Sequence, residues 1–352
     1  MSTSSSVFTC MIFLYIAIAL LILAGTCIDY KGFHADYLSK EKTNSIKGVF
    51  LLLIIVSHAI PYISRCGYDF SGIGDNYLLL IRNRMGQLVV VMFLFYSGYG
   101  IGESFKKKGE LYVNHMPTHR ILTTLLNFDV AVLFLAIVSL LLSIPFTGKQ
   151  FLLSFIAWDS LGNSNWYIFC ILICYIISFV TLKFTKTNRE SVIITLILLI
   201  VMTLLLSFFK QPYWYNTMWS YGAGYAFSIY RTKIGSTIQS NYLLSLLFSI
   251  ILFVVLFNLN IEYRGIKYNF LSISFAIMIV IATMKVSLSN KVLIWIGINL
   301  FPMYIFQRIP MIILQNQYES FTGNHPVLFV AISLIVTIGF TYLYRYWRIS
   351  LR

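Results

Sequence analysis

Long apolar runs separated by short polar stretches recur along the whole 352-residue chain. A helix of about 20 residues crosses the roughly 30 Å of hydrocarbon in a bilayer. The runs are continuous rather than alternating, which favours helices over the strands of a membrane barrel. The pattern predicts eleven membrane-spanning helices, of which the seventh is the weakest: residues 7–28, 46–63, 85–102, 121–145, 165–183, 191–209, 217–231, 240–260, 268–286, 290–314 and 325–344.

Composition supports a membrane protein with no room for a soluble domain. The chain is 59% hydrophobic and only 11% charged, with a mean hydropathy of +0.80, whereas a soluble domain carries about 25% charged residues. The expected fold class is therefore an all-α polytopic membrane protein with about 11 transmembrane helices.

The positions of the basic residues predict how the helices are oriented. Lys and Arg in short loops are retained in the cytoplasm, and with the N-terminus outside, the inner loops hold 18 of them and the outer loops 7. The bias predicts an outside N-terminus and a cytoplasmic C-terminus. It also accounts for the formal net charge of +14, so no nucleic-acid partner is expected. No positive charge precedes the first span, which argues against a cleaved signal peptide.

Two residue pairs have spacings found in metal sites, but neither predicts one. Cys170 and Cys174 lie one helical turn apart inside a span, where small polarisable residues pack well. His115 and His119 have the spacing of a zinc-binding helix. Pro117 separates these histidines and no third ligand is evident, so a phosphate-facing or solvated loop is expected, without a metal.

The second span carries two ionisable residues eleven positions apart, Lys47 and His58. Eleven residues make about three helical turns, so both side chains lie on one face, about 16 Å apart along the axis. An ionisable group inside a membrane is costly and by default indicates function at a cavity. The alternative is a neutral imidazole that donates one hydrogen bond to a neighbouring helix.

The third span adds two arginines at its outer end, Arg82 and Arg84, followed by "FLFYSGYG" at residues 93–100. The small residues of this segment permit close approach of a helix or a thin ligand. The arginines fit two roles. They are ordinary interfacial residues, or they hold a carboxylate, a phosphate or an oxyanion near the histidine.

These elements resemble the acyltransferase-3 family of membrane acyltransferases, which modify extracytoplasmic glycans and similar acceptors. The family opens with a basic residue, ten intervening residues and a histidine, which Lys47 and His58 reproduce with lysine in place of the usual arginine. Lysine keeps the charge but loses the bidentate fork. The Arg-x-Arg pair and "FLFYSGYG" match the next elements of the family pattern.

Three later segments extend the resemblance to roughly residues 44–345. They are "SNWYIFCILICYI" at 164–176, "MWSYGAGYAFSIYR" at 218–231 and "LIWIGINLFPMYIFQRIPMIIL" at 293–314. In the last segment, Gln307 occupies a position that often holds histidine. A second histidine therefore cannot be assumed to take part in the chemistry.

The resemblance implies a division of the chain and a location. Residues 1–45 are an extra N-terminal helix with its cytoplasmic loop, 46–345 the acyltransferase-3-like domain of ten helices, and 346–352 a short cytoplasmic tail. The implied location is the bacterial cytoplasmic membrane. The oligomeric state stays open.

The resemblance further implies transfer of an acyl group, acetyl being the commonest in the family, from acyl-CoA to a hydroxyl of an extracytoplasmic or lipid-linked glycan. His58 is expected to act as general base, with Arg82 and Arg84 stabilising the oxyanion or positioning the acceptor. The expected donor-binding residues are Lys47, Ser97, Gly98, Tyr99 and Arg120. The expected acceptor-binding residues are Trp166, Gln307 and Arg308. No metal cofactor is expected.

Several of these roles have structural alternatives. The run Lys106–Lys108 fits a lipid anchor better than a CoA site. Ser97 is a conceivable acyl carrier, although packing explains it better. Most aromatic residues fit membrane belts, while four tryptophans near the outer mouth are candidates for stacking on sugars: Trp158, Trp166, Trp214 and Trp219.

Two other classes of membrane protein share this composition. A polymerase or flippase of lipid-linked glycans is expected to have large outer loops, whereas the longest here are residues 64–84 and 146–164. A transporter typically has paired inverted repeats with broken helices. Pro302 and Pro310 interrupt the tenth span without a counterpart in the first half, so both classes fit less well.

Overall fold

The computed structural model describes residues 11–260 and 265–350, which are almost entirely helical. The α-helices are α1 Ile12–Leu23, α2 Lys40–Arg65, α3 Ile73–Met85, α4 Leu88–Lys108, α5 Glu110–Met116, α6 Thr123–Leu141, α7 Gly148–Ser154, α8 Asn165–Phe184, α9 Asn188–Ser207, α10 Trp219–Ile229, α11 Arg231–Ser240, α12 Tyr242–Asn260, α13 Tyr268–Thr283, α14 Lys291–Ile298, α15 Leu300–Phe306, α16 Arg308–Gln317, α17 Glu319–Asn324 and α18 Pro326–Trp347. A π-helix (Pro117–Leu122), a 3₁₀ turn (Pro212–Trp214) and two strands, β1 Thr26–Ile28 and β2 Val286–Leu288, complete the described elements.

The all-α polytopic class is confirmed. In the described ranges, 7 helices are long and apolar enough to cross a membrane, or up to 8 if the bent pair Lys291–Ile298 and Leu300–Gln317 is one span. Predicted spans one, seven and nine coincide with shorter helices, α1, α10 and α13, of 12, 11 and 16 residues. Residues 7–10 of the first predicted span and 351–352 of the predicted tail lie outside the described residues.

Five segments predicted as loops are partly or wholly helical: α11 covers residues 232–239 and α17 lies within 315–324, and three further segments contain the helices given next. Helix α3 lies within 64–84 and continues to Met85, α7 lies within 146–164, and α5 with the π-helix occupies the stretch that carries His115 and His119. The expectation of a loop at these histidines was therefore wrong. A search for apolar runs of membrane length misses helices with mixed polarity, because their signal is periodicity rather than hydropathy.

Helix α2 is the central helix, and its most apolar stretch of 18 residues is 72% buried inside the protein. It begins at the Ser39 cap, whose hydroxyl accepts a hydrogen bond from the Lys42 N–H at 3.3 Å, satisfying one of the unpaired N–H groups of the first turn. It continues past Pro61 to Arg65. Lys47 and His58 thus lie on one unbroken helix, as their spacing predicts. Below, the "Lys47 end" of the bundle is where α2 begins and the "Arg65 end" is where it ends.

The tenth predicted span is a bent helix pair with an angle of 70°. Helix α14 ends at Ile298, and the Asn299 amide donates back to the Trp295 carbonyl at 2.8 Å. Pro302 has no N–H to offer the Ile298 carbonyl, and its ring clashes with a straight continuation. The break redirects the chain so that Gln307 and Arg308, at the start of α16, approach α2.

Glycines allow two pairs of helices to touch through their backbones. A Cβ at Gly98 of α4 would overlap the Tyr221 carbonyl of α10, and one at Gly224 of α10 would overlap the Phe95 carbonyl of α4. Gly48 of α2 lies equally close to α14. Such small-residue contacts are a common basis of helix association in membranes.

The N-terminal segment is fastened to the core by strand pairing and by one lysine. Strand β1 pairs antiparallel with β2, Cys27 lying opposite Ser287. The Lys285 ammonium donates to the carbonyls of Asp29, Tyr30 and Gly32 at 3.3, 3.3 and 3.0 Å. These contacts position residues 29–39, which lead into α2.

Candidate functional site

His58 lies in the middle of a polar centre between α2 and the bent α15–α16 segment. Its ring centroid is 6.5 Å from that of Tyr304. The Gln307 amide faces the imidazole, yet the two groups form no well-aligned hydrogen bond, since the His58 Nδ1 and the Gln307 Oε1 are both buried without a partner in the described structure.

Further buried polar atoms around His58 lack partners among the described residues. They are the Tyr304 hydroxyl, the Arg308 Nε and the Ser164 hydroxyl oxygen. The Ser164 hydroxyl faces the Tyr304 hydroxyl without forming a well-aligned hydrogen bond. Arg308 interacts electrostatically with both Tyr304 and His58. Buried polar groups are nearly always hydrogen-bonded, and leaving one unpaired costs about 1–3 kcal/mol. A cluster of them indicates a place built to receive a polar molecule.

The side chains of the two arginines of α3 contact different parts of the protein. The Arg82 Nε donates to the Ser57 hydroxyl at 3.3 Å, and its charge acts on the neighbouring His58. Arg84 is exposed, and its guanidinium lies 5.9 Å from the centroid of the Phe257 ring on α12. The structure thus brings Arg82, Gln307 and Arg308 to His58, but not Arg84.

A cavity of about 630 Å³ opens at the Lys47 end, here called the Lys47 cavity. Its charged lining residues are Lys40, Lys47, Arg120, Arg231, Asp36 and Glu103. The excess of cations gives the cavity a positive field that attracts polyanions. Tyr99 also lines it, so three expected donor-binding residues, Lys47, Tyr99 and Arg120, meet here.

The other two expected donor-binding residues do not line this cavity. Gly98 is in backbone contact with α10, and the Ser97 hydroxyl faces Tyr175 of α8. In the run of three lysines, Lys106 forms an ion pair with Glu103 at 2.5 Å and donates to the Ser228 carbonyl at 2.9 Å. Lys106 is therefore tied to the end of α10.

Arg231 is a lining residue that the sequence reasoning did not assign. Its Nη1 donates to the Tyr99 hydroxyl at 3.0 Å, and its guanidinium lies 5.6 Å from the centroid of the Tyr37 ring. Arg231 is the last residue of the segment "MWSYGAGYAFSIYR", whose basic end was the available signal.

Three of the four outer tryptophans are engaged within the protein. Trp158 and Trp214 enclose the Lys210 ammonium, which is 3.7 and 4.0 Å from their ring centroids. Burial between these rings lowers the pKa of Lys210. The Trp219 indole donates to the Thr203 hydroxyl at 3.0 Å. Trp166 is half-buried, edge-on to Tyr167 and Tyr213.

His115 and His119 are stacked on each other, their ring centroids 5.4 Å apart. They line a separate basic cavity of about 510 Å³ together with Lys108 and Arg120. Pro117, which has no N–H to donate, begins the π-helix between them. The pair thus lies beside the Lys47 cavity, since Arg120 lines both.

A comparison with protein families matches a model described as an acyltransferase domain to residues 42–346. The chain belongs to the acyltransferase-3 family. As a member, it is a membrane acyltransferase, and the matched range holds His58, Arg82 and the whole lining of the polar centre. Helix α1 and strand β1 of this acyltransferase precede the matched range. No curated protein and no solved structure matches the chain.

Proposed function

We propose that this acyltransferase moves an acyl group, acetyl being expected, from cytoplasmic acyl-CoA to a hydroxyl of an extracytoplasmic or lipid-linked glycan. The observation that carries the proposal is the position of His58. It lies on α2 about 16 Å from Lys47, in a centre of unpartnered polar atoms beyond the basic Lys47 cavity.

In the proposed reaction, His58 takes the proton of the acceptor hydroxyl as its oxygen attacks the thioester carbonyl. The tetrahedral oxyanion that forms is stabilised by the guanidinium of Arg82 or Arg308, the two that act on His58. Collapse of this intermediate breaks the C–S bond and releases CoA thiolate. The proton held by His58 then neutralises the thiolate, which restores the free base.

The proposed binding of the acyl-CoA donor rests on the positive charge of the Lys47 cavity. CoA carries several phosphate charges, and the Lys47 cavity offers cations on α2, on the π-helix and on α11. The proposal places this cavity on the cytoplasmic side, in keeping with the bias of basic residues in the loops. The polar centre is then reached from the opposite side by the acceptor.

The ester content of the surface glycan tests the reaction class. A deletion strain is complemented with the wild type, and acyl groups on the purified glycan are measured by proton NMR. The deletion is expected to remove the ester signals and the wild-type chain to restore them. Retained acyl groups with a changed glycan chain length or amount would instead favour a polymerase or flippase.

Weakening the positive field of the Lys47 cavity is expected to impair donor binding. Lys47→Gln should raise the KM for acetyl-CoA about tenfold, the size of one charge-assisted contact, with a smaller change in kcat. Lys107→Gln is the matched control, because Lys107 is exposed and does not line the cavity. Steady-state kinetics in membrane vesicles measure both constants. An equal KM in the two variants would contradict a donor role for this cavity.

A further inference from the structure

A second cavity, of about 340 Å³, opens at the Arg65 end and is called the Arg65 cavity. Its wall is built from the last turn of α2, the end of α6, α7 with the segments before and after it, and the second half of α16. The volume lies at the low end of the range for small-molecule sites, about 300–1,000 Å³. It suits a sugar unit and is too small for an acyl-CoA.

The Arg65 cavity adjoins the polar centre of His58 through three elements. Tyr62 lines it and lies one turn beyond His58 on α2. Ile312 lines it and lies one turn beyond Arg308 on α16. The Arg308 Nη1 donates to the carbonyl of Gly162, a further lining residue, at 3.4 Å. A ligand in this cavity would therefore lie next to the general base.

The lining mixes flat apolar surfaces with amide groups, which is the chemistry that a sugar ring requires. Tyr62 and Phe146 offer aromatic surface. Gln150 donates to the Ser160 carbonyl at 2.7 Å, which leaves its amide oxygen as an acceptor. The Gln315 amide adds donors and an acceptor to the same cavity.

The charge of the cavity points to an anionic ligand. Arg65 is exposed at its rim, with its guanidinium 6.0 Å from the centroid of the Tyr62 ring. No carboxylate lines the cavity, and within the described ranges none forms an ion pair with Arg65. A guanidinium so placed binds a carboxylate or a phosphate with two parallel hydrogen bonds.

We propose that the Arg65 cavity binds the acceptor and that this acceptor is a saccharide with an anionic substituent. The proposal rests on the proposed function, since it places the sugar hydroxyl beside His58. Tyr62 packs against the sugar ring, Gln150 and Gln315 bind its hydroxyl groups, and Arg65 binds the carboxylate or phosphate.

Saturation-transfer NMR on the full chain in lipid nanodiscs tests this without requiring catalysis. The probes are methyl glucoside, methyl glucuronide and the phosphate ester of methyl glucoside. The wild type is expected to bind a charged glycoside about tenfold more tightly than the neutral one. Comparison of the two charged probes distinguishes a carboxylate from a phosphate.

Two pairs of matched variants test whether glycoside binding and its preference for charge arise in the Arg65 cavity. Arg65→Gln should remove the preference for charge, whereas Lys149→Gln, exposed near the same end but outside the lining, should keep it. Gln315→Ala should weaken binding of all three glycosides, whereas Gln317→Ala should not. Equal binding of the three probes to the wild type, or a preference unchanged in Arg65→Gln, would overturn the proposal. Glycan ester signals that persist in the deletion strain, together with intact Arg65-dependent binding, would reject the proposed reaction and leave the anion-binding cavity in place.

Discussion

Replacing His58 by glutamine is expected to abolish acyl transfer while the protein remains folded and able to bind acyl-CoA. Glutamine fills a similar space and forms hydrogen bonds but cannot accept a proton at neutral pH. Loss of a general base typically lowers the rate by about 10² to 10⁴. The buried Nδ1 of His58 has no partner in the described structure, so the substitution breaks no bond at that atom.

The measurement is the initial rate of acetyl transfer in vesicles that contain equal amounts of each variant. Binding of acetyl-CoA is followed separately by the shift in thermal unfolding. His325→Gln is the control for the chemical change, since His325 is exposed at the start of α18. A rate within a few-fold of the wild type in His58→Gln would remove the histidine from the mechanism.

Gly98→Ala is expected to destabilise the protein by about 1–3 kcal/mol, the usual cost of overpacking. The added methyl group would overlap the Tyr221 carbonyl, so α4 and α10 would have to separate and lose the close packing between them. Gly100→Ala makes the same change on the same helix, where a Cβ meets no atom within 4 Å. In that variant stability should be equal or slightly higher, because alanine favours helix.

Unfolding midpoints of the two variants in the same detergent distinguish packing from ligand binding. The expected result is a lowered midpoint for Gly98→Ala alone. A Gly98→Ala protein of wild-type stability with a raised KM for acetyl-CoA would contradict the packing role. Such a result would return Gly98 to the donor path that the family resemblance implies.

The fold class could be predicted from apolar run length because hydrocarbon thickness fixes the length of a spanning helix. The shared face of Lys47 and His58 follows from helical geometry alone. Helix α3 could not be found in this way. Its short apolar run, residues 77–81, is flanked by Asp75, Asn76, Arg82 and Arg84, and its position depends on neighbours distant in the chain.

Only those features of the candidate site that depend on local helix geometry could be predicted from the sequence. The family pattern marked Gln307, Arg308 and His58 as candidate site residues, but the bend that brings them together depends on Asn299 and Pro302 in their tertiary setting. Two other features depend on rotamers and on contacts between distant segments. They are the different surroundings of Arg82 and Arg84, and the position of Lys210 between two tryptophan rings. Such contacts leave no periodic trace in the sequence.

The N-terminal segment is attached to the core by strand pairing and by Lys285. The sequence range of the family match and the range that folds cooperatively therefore differ in this protein. The matched range begins at residue 42, yet Asp36 and Leu38 form part of the Lys47 cavity wall. A chain shortened to the family range would leave β2 without its partner strand and Lys285 without its three carbonyl acceptors. Residues 26–38 therefore belong to the folding unit, and the boundary of the family match would be a poor guide for truncating the protein.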